Sequence, residues 1–292
     1  MASAGRRGSY TCRIKRLARS RSGSVRGSAL ERAASAPWPA LCLGRELADD
    51  QGPPFVDTAP TRSVLPLRDA AVLLWLGDSI TTDHISLIGE IAEGSPVARW
   101  LRENGWDGER FGSYGDFLGN HEVMLRGTFD NPRLTKRIAS REGNAAICAD
   151  GSEASVFDAA RSYTDQGTPA VIWAGEGYGC GSARDWAAKG TALLGIRAVI
   201  ARSFERIHRS NLIAMGILPI LVNRDPVTGL SPLSRLSVLG PREPRINAAV
   251  TIELAEAGRT ESIAGQLDLR TLREVELVAA GGVAKLISRL LS

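Results

Sequence analysis

Apolar residues along this chain fall in short blocks that alternate with polar, glycine-containing stretches. The clearest blocks read AAVLLWLG (70–77), PAVIWAG (169–175), IRAVIAR (196–202) and ILPILV (217–222). Apolar runs of this length are typical of buried strands, although periodicity alone leaves a helix segment open. We predict a strand in each block.

Between the last three of these blocks the pattern becomes helical. YGCGSARDWAAKGTALLG (178–195) predicts a glycine turn followed by a helix. SFERIHRSNLIAMG (203–216) predicts a helix capped by Ser203 and ended by Gly216. Strand, helix, strand, helix and strand at this spacing predict parallel strands joined by right-handed crossover helices. The predicted fold class is therefore α/β.

The remaining elements are marked by capping residues and by shorter apolar patterns. SPVARWLRENG (95–105), with Ser95 as its N-cap, and SVFDAARSYTDQG (155–167) are predicted to be helices. GNHEVMLRGTFDN (119–131) is predicted to be strand and loop. Residues 223–292 are predicted to be a β-rich tail that contains AAVTIELA and VELVAA and closes with the apolar helix VAKLISRLLS.

The first 52 residues differ in composition from the rest of the chain. They are rich in Arg, Ser, Ala and Gly and show little hydrophobic periodicity. We interpret residues 1–52 as a disordered extension, or as the product of a start codon assigned too far upstream. A transit-type segment and a nucleic-acid-binding arm are the alternatives. Residues 53–292 are predicted to be the folded domain.

Composition and charge narrow the function classes. The chain has 292 residues, of which 43% are hydrophobic and 23% charged, as is typical of soluble globular proteins. No apolar run approaches the roughly 18 residues that a membrane span needs. The net charge of +4 is unevenly spread, because residues 1–30 hold 8 basic and no acidic residues. The remainder is near neutral or slightly acidic, so no nucleic-acid partner is expected.

Cysteine and histidine usage bears on metal sites and on location. No pair of cysteines forms C-x-x-C, so the signature of zinc or iron–sulfur ligands is absent from the sequence. Scattered cysteines predict a reducing compartment, and we expect a cytoplasmic protein. The three histidines are far apart, and no metal site is expected on them. The cysteines are Cys12, Cys42, Cys148 and Cys180.

The glycine turn GYGCGSAR (177–184) is the main candidate site, because ligands bind beyond the carboxyl ends of parallel strands. Glycine lets a ligand approach the backbone closely. The N–H groups of Ser182, Ala183 and Arg184 would be unpaired donors at the helix start, suited to an anion or to a serine alkoxide. Arg184 adds a planar fork for a carboxylate. The plain alternative is that Ser182 only caps a helix whose first turn holds Asp185.

Several long blocks resemble one known family. They read LGDSITTDHIS, SPVARWL, FGSYGDFLGNHEVMLRGTFDN, YGCGSARDWAAKGTALLGIRAVIARSFERIHRSNLIAMGILP and VELVAAGGV. Over about residues 53–292 the chain resembles the C-terminal swivel domain of aconitase, in the aconitase A and iron regulatory protein branch. The resemblance implies a swivelling β/β/α domain and a tricarboxylic-acid-cycle hydro-lyase that removes and re-adds water on a hydroxy acid.

The resemblance also implies roles for single residues. Ser182 falls on the catalytic base that takes the α-proton, and Arg184 and Arg126 fall on ligands of substrate carboxylates. Asp83 falls on an acidic residue of the same active site. Two plainer interpretations remain: Asp83 caps a turn at a strand end, and Arg126 is a surface arginine. The histidines are expected to pack or to orient loops: His84, His121 and His208.

One residue of the matching turn departs from the family pattern. The family usually has Gly-Ser-Ser-Arg, whereas this chain has Gly-Ser-Ala-Arg, so Ala183 lacks a hydroxyl that bonds a substrate carboxylate. A hydrogen bond to a charged group contributes about 1.5–3 kcal/mol, or roughly 10- to 150-fold in affinity. The substrate is therefore bound more weakly, or differs from citrate. Methylcitrate, isopropylmalate-like and phosphinyl analogues stay open.

The resemblance further implies a four-iron, four-sulfur cluster, whose cysteines lie in domains outside this sequence. Cys180 alone cannot hold a cluster. We expect the chain to be inactive alone and to need a cluster-bearing large subunit or N-terminal aconitase half, whose iron takes the hydroxyl, as in isopropylmalate isomerase. The rival interpretations are a truncated remnant without a partner and an RNA-binding module of the iron regulatory type.

Overall fold

The computed structural model describes residues 64–106, 110–134, 143–227, 231, 233–256 and 259–291. The predictions made for residues 1–52 lie outside these residues, and the domain boundary at residue 52 stays a prediction. No helix in the described part of the chain is long and apolar enough to cross a membrane. The cytoplasmic location likewise stays a prediction.

Strands and helices alternate between residues 153 and 222, and elements of one kind follow one another on either side of this stretch. The strands are β1 (Leu67–Trp75), β2 (Ala145–Ile147), β3 (Glu153–Ser155), β4 (Ala170–Ala174), β5 (Ile196–Ala201), β6 (Leu218–Val222), β7 (Arg235–Leu239), β8 (Ala249–Glu256) and β9 (Arg259–Leu267). The helices are α1 (Thr82–Ile85), α2 (Pro96–Glu103), α3 (His121–Arg126), α4 (Val156–Asp165), α5 (Trp186–Leu193), α6 (Arg206–Ala214), α7 (Leu272–Ala280) and α8 (Val283–Leu291). A 3-10 turn spans Tyr114–Phe117.

Within the described residues, seven strands close into a barrel in the order β1-β4-β5-β6-β9-β8-β7. The first four run parallel to one another, and the other pairings are antiparallel. Helix α5 connects β4 to β5, and α6 connects β5 to β6. The predicted α/β class, with parallel strands and connecting helices, is confirmed. A separate two-stranded sheet pairs β2 with β3.

The parallel strands are apolar on both faces because each face is covered. Val171 pairs with Val72 on one side and with Ala198 on the other, and all three belong to a core that gathers residues from all seven barrel strands. The next row, which includes Ile172 and Val199, faces α4 and α5 in a second core. Two buried faces explain why these strands are continuous apolar runs rather than alternating ones.

The prediction of strand and loop for residues 119–131 was wrong, because α3 lies there. Asn120 starts this helix: its side-chain oxygen accepts hydrogen bonds from the N–H groups of Glu122 and Val123, at 3.0 and 3.2 Å. Val123 and Met124 of this helix are buried. A side-chain cap and two buried side chains are enough to form a short helix that the apolar pattern alone does not reveal.

The strand predicted for VELVAA was also wrong, because these residues lie in α7. The side chain of Thr271 accepts a hydrogen bond from the N–H of Glu274 at 3.2 Å and caps the helix. Gly281, in the left-handed region at φ 81°, ends it. These are the sequence signals of a helix start and stop, and they outweigh the β-propensity of the two valines. The predicted strand AAVTIELA and the closing helix are confirmed as β8 and α8.

The cap predicted for the second crossover helix was misplaced by two residues. Helix α6 begins at Arg206, and its N-cap is Glu205. The hydroxyl of Ser203 instead accepts a hydrogen bond from the N–H of Gly177 at 2.8 Å. Ser203 therefore ties the end of β5 to the glycine turn rather than capping a helix.

Candidate active site

The glycine turn and its continuation, residues 175–184, are here called the serine loop. On one side the serine loop pairs with the segment that follows β1, so that the parallel pairing of β1 and β4 continues past both strand ends. The backbone bonds run from Gly175 N to Gly77 O (3.1 Å), Ser79 N to Glu176 O (2.7 Å), Gly179 N to Ile80 O (2.7 Å) and Thr82 N to Cys180 O (2.8 Å).

On its other side the serine loop pairs with the segment that follows β5. Arg202 N donates to Gly175 O (3.1 Å), Tyr178 N to Ser203 O (3.0 Å) and Glu205 N to Tyr178 O (2.9 Å). Residues 175–180 therefore lie as a middle strand between two flanking segments. Backbone bonds on both sides fix the position of this part of the loop.

Two glycines of the loop are required by their neighbours. A Cβ atom on Gly175 would overlap with the carboxylate of Asp78. A Cβ atom on Gly179 would overlap with the imidazole ring of His208, and Gly179 also has φ +84°. A side chain at either position would push the loop away from the groups that hold it.

Ser182 lies where the two-sided pairing ends, and its residue is exposed. Its carbonyl oxygen accepts two hydrogen bonds, from the Thr82 hydroxyl at 2.7 Å and from the Arg184 N–H at 2.9 Å. In the described part of the chain, the N–H groups of Ser182 and Ala183 donate to no other group. Within the described residues, the serine and the residue after it thus offer two N–H groups that a ligand could take up.

The prediction that Ser182, Ala183 and Arg184 begin the helix was wrong. Helix α5 begins at Trp186, with Asp185 at the N-cap position and no capping bond from its side chain. Before the helix, the Arg184 N–H donates to the carbonyl oxygen of Ser182 within a tight turn. The plain interpretation of Ser182 as a helix cap is wrong for the same reason.

Asp83 and Arg184 lie together although 101 residues separate them in sequence. Arg184 Nη2 is 2.7 Å from Asp83 Oδ1, and Arg184 Nη1 donates to the carbonyl oxygen of Ser86 at 2.9 Å. The Arg184 side chain is 20% exposed and that of Asp83 is 58% exposed. Thr81, not Asp83, is the N-cap of α1. The pair is thus half-open to solvent beside Ser182.

Arg126 lies apart from this pair, at the end of α3. Its guanidinium stacks over the rings of Trp100 and Phe157, at 5.1 and 4.7 Å from their centres. It also donates to the Glu122 carbonyl oxygen at 3.0 Å and pairs with the Glu122 carboxylate. Its side chain is 12% exposed, so Arg126 is not a free surface arginine. Among the described residues it contacts neither Asp83 nor Arg184.

The histidines have three different surroundings. His84 Nδ1 accepts a hydrogen bond from the N–H of Thr81 at 3.0 Å, which completes the cap of α1. His121 Nε2 is 3.4 Å from Glu122 Oε1. His208 is 2% exposed beneath the serine loop, and neither ring nitrogen has a hydrogen-bond partner among the described residues. Burial lowers the pKa of His208 to about 4, so the ring is neutral near pH 7.

Sequence reasoning missed three polar residues that hold the loop: Thr82, Asp78 and Arg202. Asp78 Oδ1 accepts from Glu176 N at 2.8 Å and from Arg202 Nη2 at 2.5 Å. Arg202 comes directly after β5, and Asp78 comes three residues after the end of β1, at the edge of the sheet where ligand sites form. This position after a parallel strand is the sequence signal by which Asp78 and Arg202 could have been predicted to lie at the site.

The described residues do not fit an iron–sulfur cluster. They include two cysteines. Cys148 is buried in the second core, against which α4 and α5 pack, and Cys180 lies in the serine loop. They hold no group of three or more His, Cys, Asp or Glu side chains that could ligate a metal ion. A four-iron cluster needs several thiolate ligands around one point.

The part of the chain that contains the serine loop is similar to known proteins. Residues 97–225 match the family described as aconitase C-terminal domain. The chain is 44% identical over 250 residues to aconitate hydratase A of Pseudomonas aeruginosa, covering 82% of this chain and 27% of that protein. It is 43% identical over 244 residues to aconitate hydratase A of Thermus thermophilus, covering 81% and 27%. The chain thus spans about a quarter of the length of these relatives.

A weaker likeness exists among solved structures. The 3-isopropylmalate dehydratase (leuD) of Methanocaldococcus jannaschii aligns with a TM-score of 0.43 at 21% identity, over 78% of this chain and 96% of that one. Values of this size do not establish a shared fold.

Proposed function

This chain carries an aconitase C-terminal domain, and from that membership we propose that it is the small subunit, or a split C-terminal half, of an aconitase-type hydro-lyase. The observation that carries the proposal is the juxtaposition of exposed Ser182 with the Asp83–Arg184 pair and with the N–H groups of Ser182 and Ala183, which donate to no group among the described residues. These groups lie beyond the carboxyl ends of parallel strands, where α/β proteins bind ligands. The domain would act as a swivelling lid over the rest of the site.

Ser182 is the proposed base for the α-proton of a hydroxy acid. A serine hydroxyl is a weak base unless its alkoxide is stabilised, and that role is proposed for the N–H groups of Ser182 and Ala183, which donate to no group among the described residues. In the dehydration direction Ser182 Oγ accepts the proton, and in the hydration direction it returns it. The described residues hold no group of side chains that could ligate a metal ion, so they do not fit the cluster that would take the departing hydroxyl. The proposal therefore assigns the cluster to a separate partner.

Arg184 is the proposed ligand of a substrate carboxylate. In the free chain its guanidinium is shared between Asp83 and the carbonyl of Ser86. A substrate carboxylate would take the place of Asp83, whose exposed side chain is free to rotate away. A planar fork that already binds one carboxylate suits a second one of the same geometry. Asp83 would then face the substrate as the acidic residue of the site.

Arg126 is proposed as a second carboxylate ligand, and it must move to act as one. Its guanidinium is engaged by Glu122, Trp100 and Phe157. Rotation of the side chain would exchange these contacts for a substrate carboxylate when the partner closes the site.

Ala183 bears on the choice of substrate. It is exposed and offers its backbone N–H but no side-chain donor. Citrate or isocitrate is the leading substrate class, and the missing hydroxyl supports the alternative of a methylcitrate or isopropylmalate-like acid. The further alternative is an inactive remnant of an aconitase.

The test is an ultraviolet assay of cis-aconitate formation by the chain alone and by the chain mixed anaerobically with the cluster-bearing part of an aconitate hydratase A. We expect activity only in the mixture. If the mixture is inactive although the two proteins are shown to associate, the substrate would be another hydroxy acid, to be assayed next. If the mixture is inactive and the two proteins do not associate, the subunit proposal is overturned in favour of the remnant.

A further inference from the structure

Thr82 holds the serine loop at two points, one on each side of Gly181. Its N–H donates to the carbonyl oxygen of Cys180 at 2.8 Å, and its hydroxyl donates to the carbonyl oxygen of Ser182 at 2.7 Å. Thr82 is 2% exposed, so the donor end of both bonds is buried, whereas Ser182 at the far end of the second bond is exposed. A hydrogen bond whose donor is buried is less open to competition from water than one with both partners exposed.

The second of these bonds controls a whole peptide plane. A peptide unit is planar and trans, so its C=O and the N–H of the next residue point in opposite directions. The Ser182 carbonyl points at Thr82, and the same oxygen also accepts the N–H of Arg184 at 2.9 Å. The Ala183 N–H must therefore point away from Thr82. It donates to no group in the part of the chain that the structure describes.

We propose that Thr82 is a positioning residue that locks the Ser182–Ala183 peptide, so that the Ala183 N–H is held ready for an anion beside the serine hydroxyl. This inference rests on the proposed function, because it assigns Thr82 a role in the same site. Thr82 touches no reacting atom itself. It acts through the carbonyl of Ser182.

The lock has a consequence that can be measured on the free chain. If the Ser182 carbonyl is fixed, the Arg184 N–H that bonds to it is protected from hydrogen exchange, whereas the Ala183 N–H is not. In the full-length wild-type chain we expect the Arg184 amide to exchange at least about 10-fold more slowly than the Ala183 amide. Equal rates for the two amides would overturn the lock, whatever the activity of the chain.

Three variants separate the hydroxyl from simple packing. Thr82→Val keeps the shape and removes the hydroxyl, and Thr82→Ser keeps the hydroxyl. Thr191→Val is the matched control, because Thr191 is also fully buried and donates over 2.7 Å to a carbonyl, that of Ala187, within α5. We expect Thr82→Val to lose the slow exchange of Arg184, and Thr82→Ser and Thr191→Val to keep it.

The same variants are then assayed in the complex with the cluster-bearing partner. A small misplacement of reacting groups costs on the order of 100-fold, so Thr82→Val should lower kcat about 10- to 100-fold while KM changes less than about 3-fold. Thr82→Ser should restore kcat to within about 3-fold. A Thr82→Ser variant as slow as Thr82→Val, or a Thr82→Val variant with wild-type kcat, would refute the positioning role. If the wild-type complex and all the variant complexes are inactive, the proposed function fails. The exchange rates of the Arg184 and Ala183 amides then test by themselves whether Thr82 fixes the Ser182–Ala183 peptide.

Discussion

The serine loop and Arg126 are held in place by different means. Residues 175–180 are fixed through the backbone, between the segments that follow β1 and β5. Arg126 is fixed only through its side chain, by two aromatic rings and by Glu122. A residue held by its backbone keeps its place when one neighbour changes, whereas a side chain can leave by rotating about its own bonds. If the proposed roles hold, the base Ser182 follows directly on a segment fixed by its backbone, whereas Arg126 must move to bind a carboxylate.

The difference follows from where each residue lies in the fold. The backbone pairing of parallel strands can continue into the loops that follow them. These loops are then held together by main-chain hydrogen bonds, without any contribution from side chains. Helix α3 lies outside the barrel strands and is short, so the end that carries Arg126 depends on side-chain contacts. We expect changes in the serine loop to affect rate or stability strongly and changes around Arg126 to affect mainly substrate binding.

The largest expected effect comes from Ser182→Ala. General acid–base catalysis contributes about 100- to 10,000-fold, so kcat of the complex with its partner should fall by that factor. Ser182 is exposed and its hydroxyl has no partner in the described part of the chain, so stability should change by less than about 0.5 kcal/mol. Steady-state kinetics and urea unfolding measure the two quantities. A wild-type rate would remove Ser182 from the catalytic role.

The strands of the parallel half could be predicted because both of their faces are buried, which produces uninterrupted apolar runs. Helices α3 and α7 could not, because side-chain caps decide them more than apolar periodicity does. At the site, the resemblance named Asp83 and Arg184 but not the groups that hold the loop. Thr82 and Ser182 are 100 residues apart, and only the register of β1 against β4 brings them together.

The next effect tests how tightly the serine loop is backed. Gly179→Ala introduces a Cβ atom into the ring of His208 at a residue with φ +84°, whereas Gly167→Ala meets nothing within 4 Å at φ +68°. Both variants carry the cost of positive φ, and overpacking adds about 1–3 kcal/mol only at Gly179. We expect the free energy of unfolding to fall by that much more for Gly179→Ala. Equal losses would mean that His208 does not support the loop.

The support under the loop also predicts a pH dependence. The folded pKa of His208 is lowered to about 4, below its ordinary value of 6.5, so the unfolded chain binds the extra proton between these values. Stability from this group is therefore present above pH 6.5 and is lost as the pH falls towards 4. Between pH 7 and pH 5 the loss should be about 2 kcal/mol.

The control for the pH effect is His208→Phe, which fills the site without a titrating group. Urea unfolding at pH 7 and pH 5 should show a smaller loss for the variant than for the wild type, by about the same 2 kcal/mol. Identical pH profiles would show that His208 is protonated in the folded state or is not buried there.

The smallest expected effect concerns Arg126. Glu122→Gln removes the charge that pairs with Arg126, and a partly exposed ion pair contributes about 0.2–1 kcal/mol. The variant should therefore lose little stability. If Arg126 binds a substrate carboxylate as proposed, Glu122 competes with that carboxylate for the same guanidinium, and in the variant KM should fall about 2-fold while kcat stays unchanged.

The matched control is Glu276→Gln, which removes a helical ion pair with Arg273 at 3.2 Å in α7. It should lower stability by a similar amount and leave KM unchanged, so a shift common to both variants would reflect net charge rather than Arg126. An unchanged KM in Glu122→Gln would mean that Arg126 stays between Trp100 and Phe157 and is a structural residue. A lower KM only in Glu122→Gln would mean that the stacked position is a resting state, from which the side chain turns to meet the substrate.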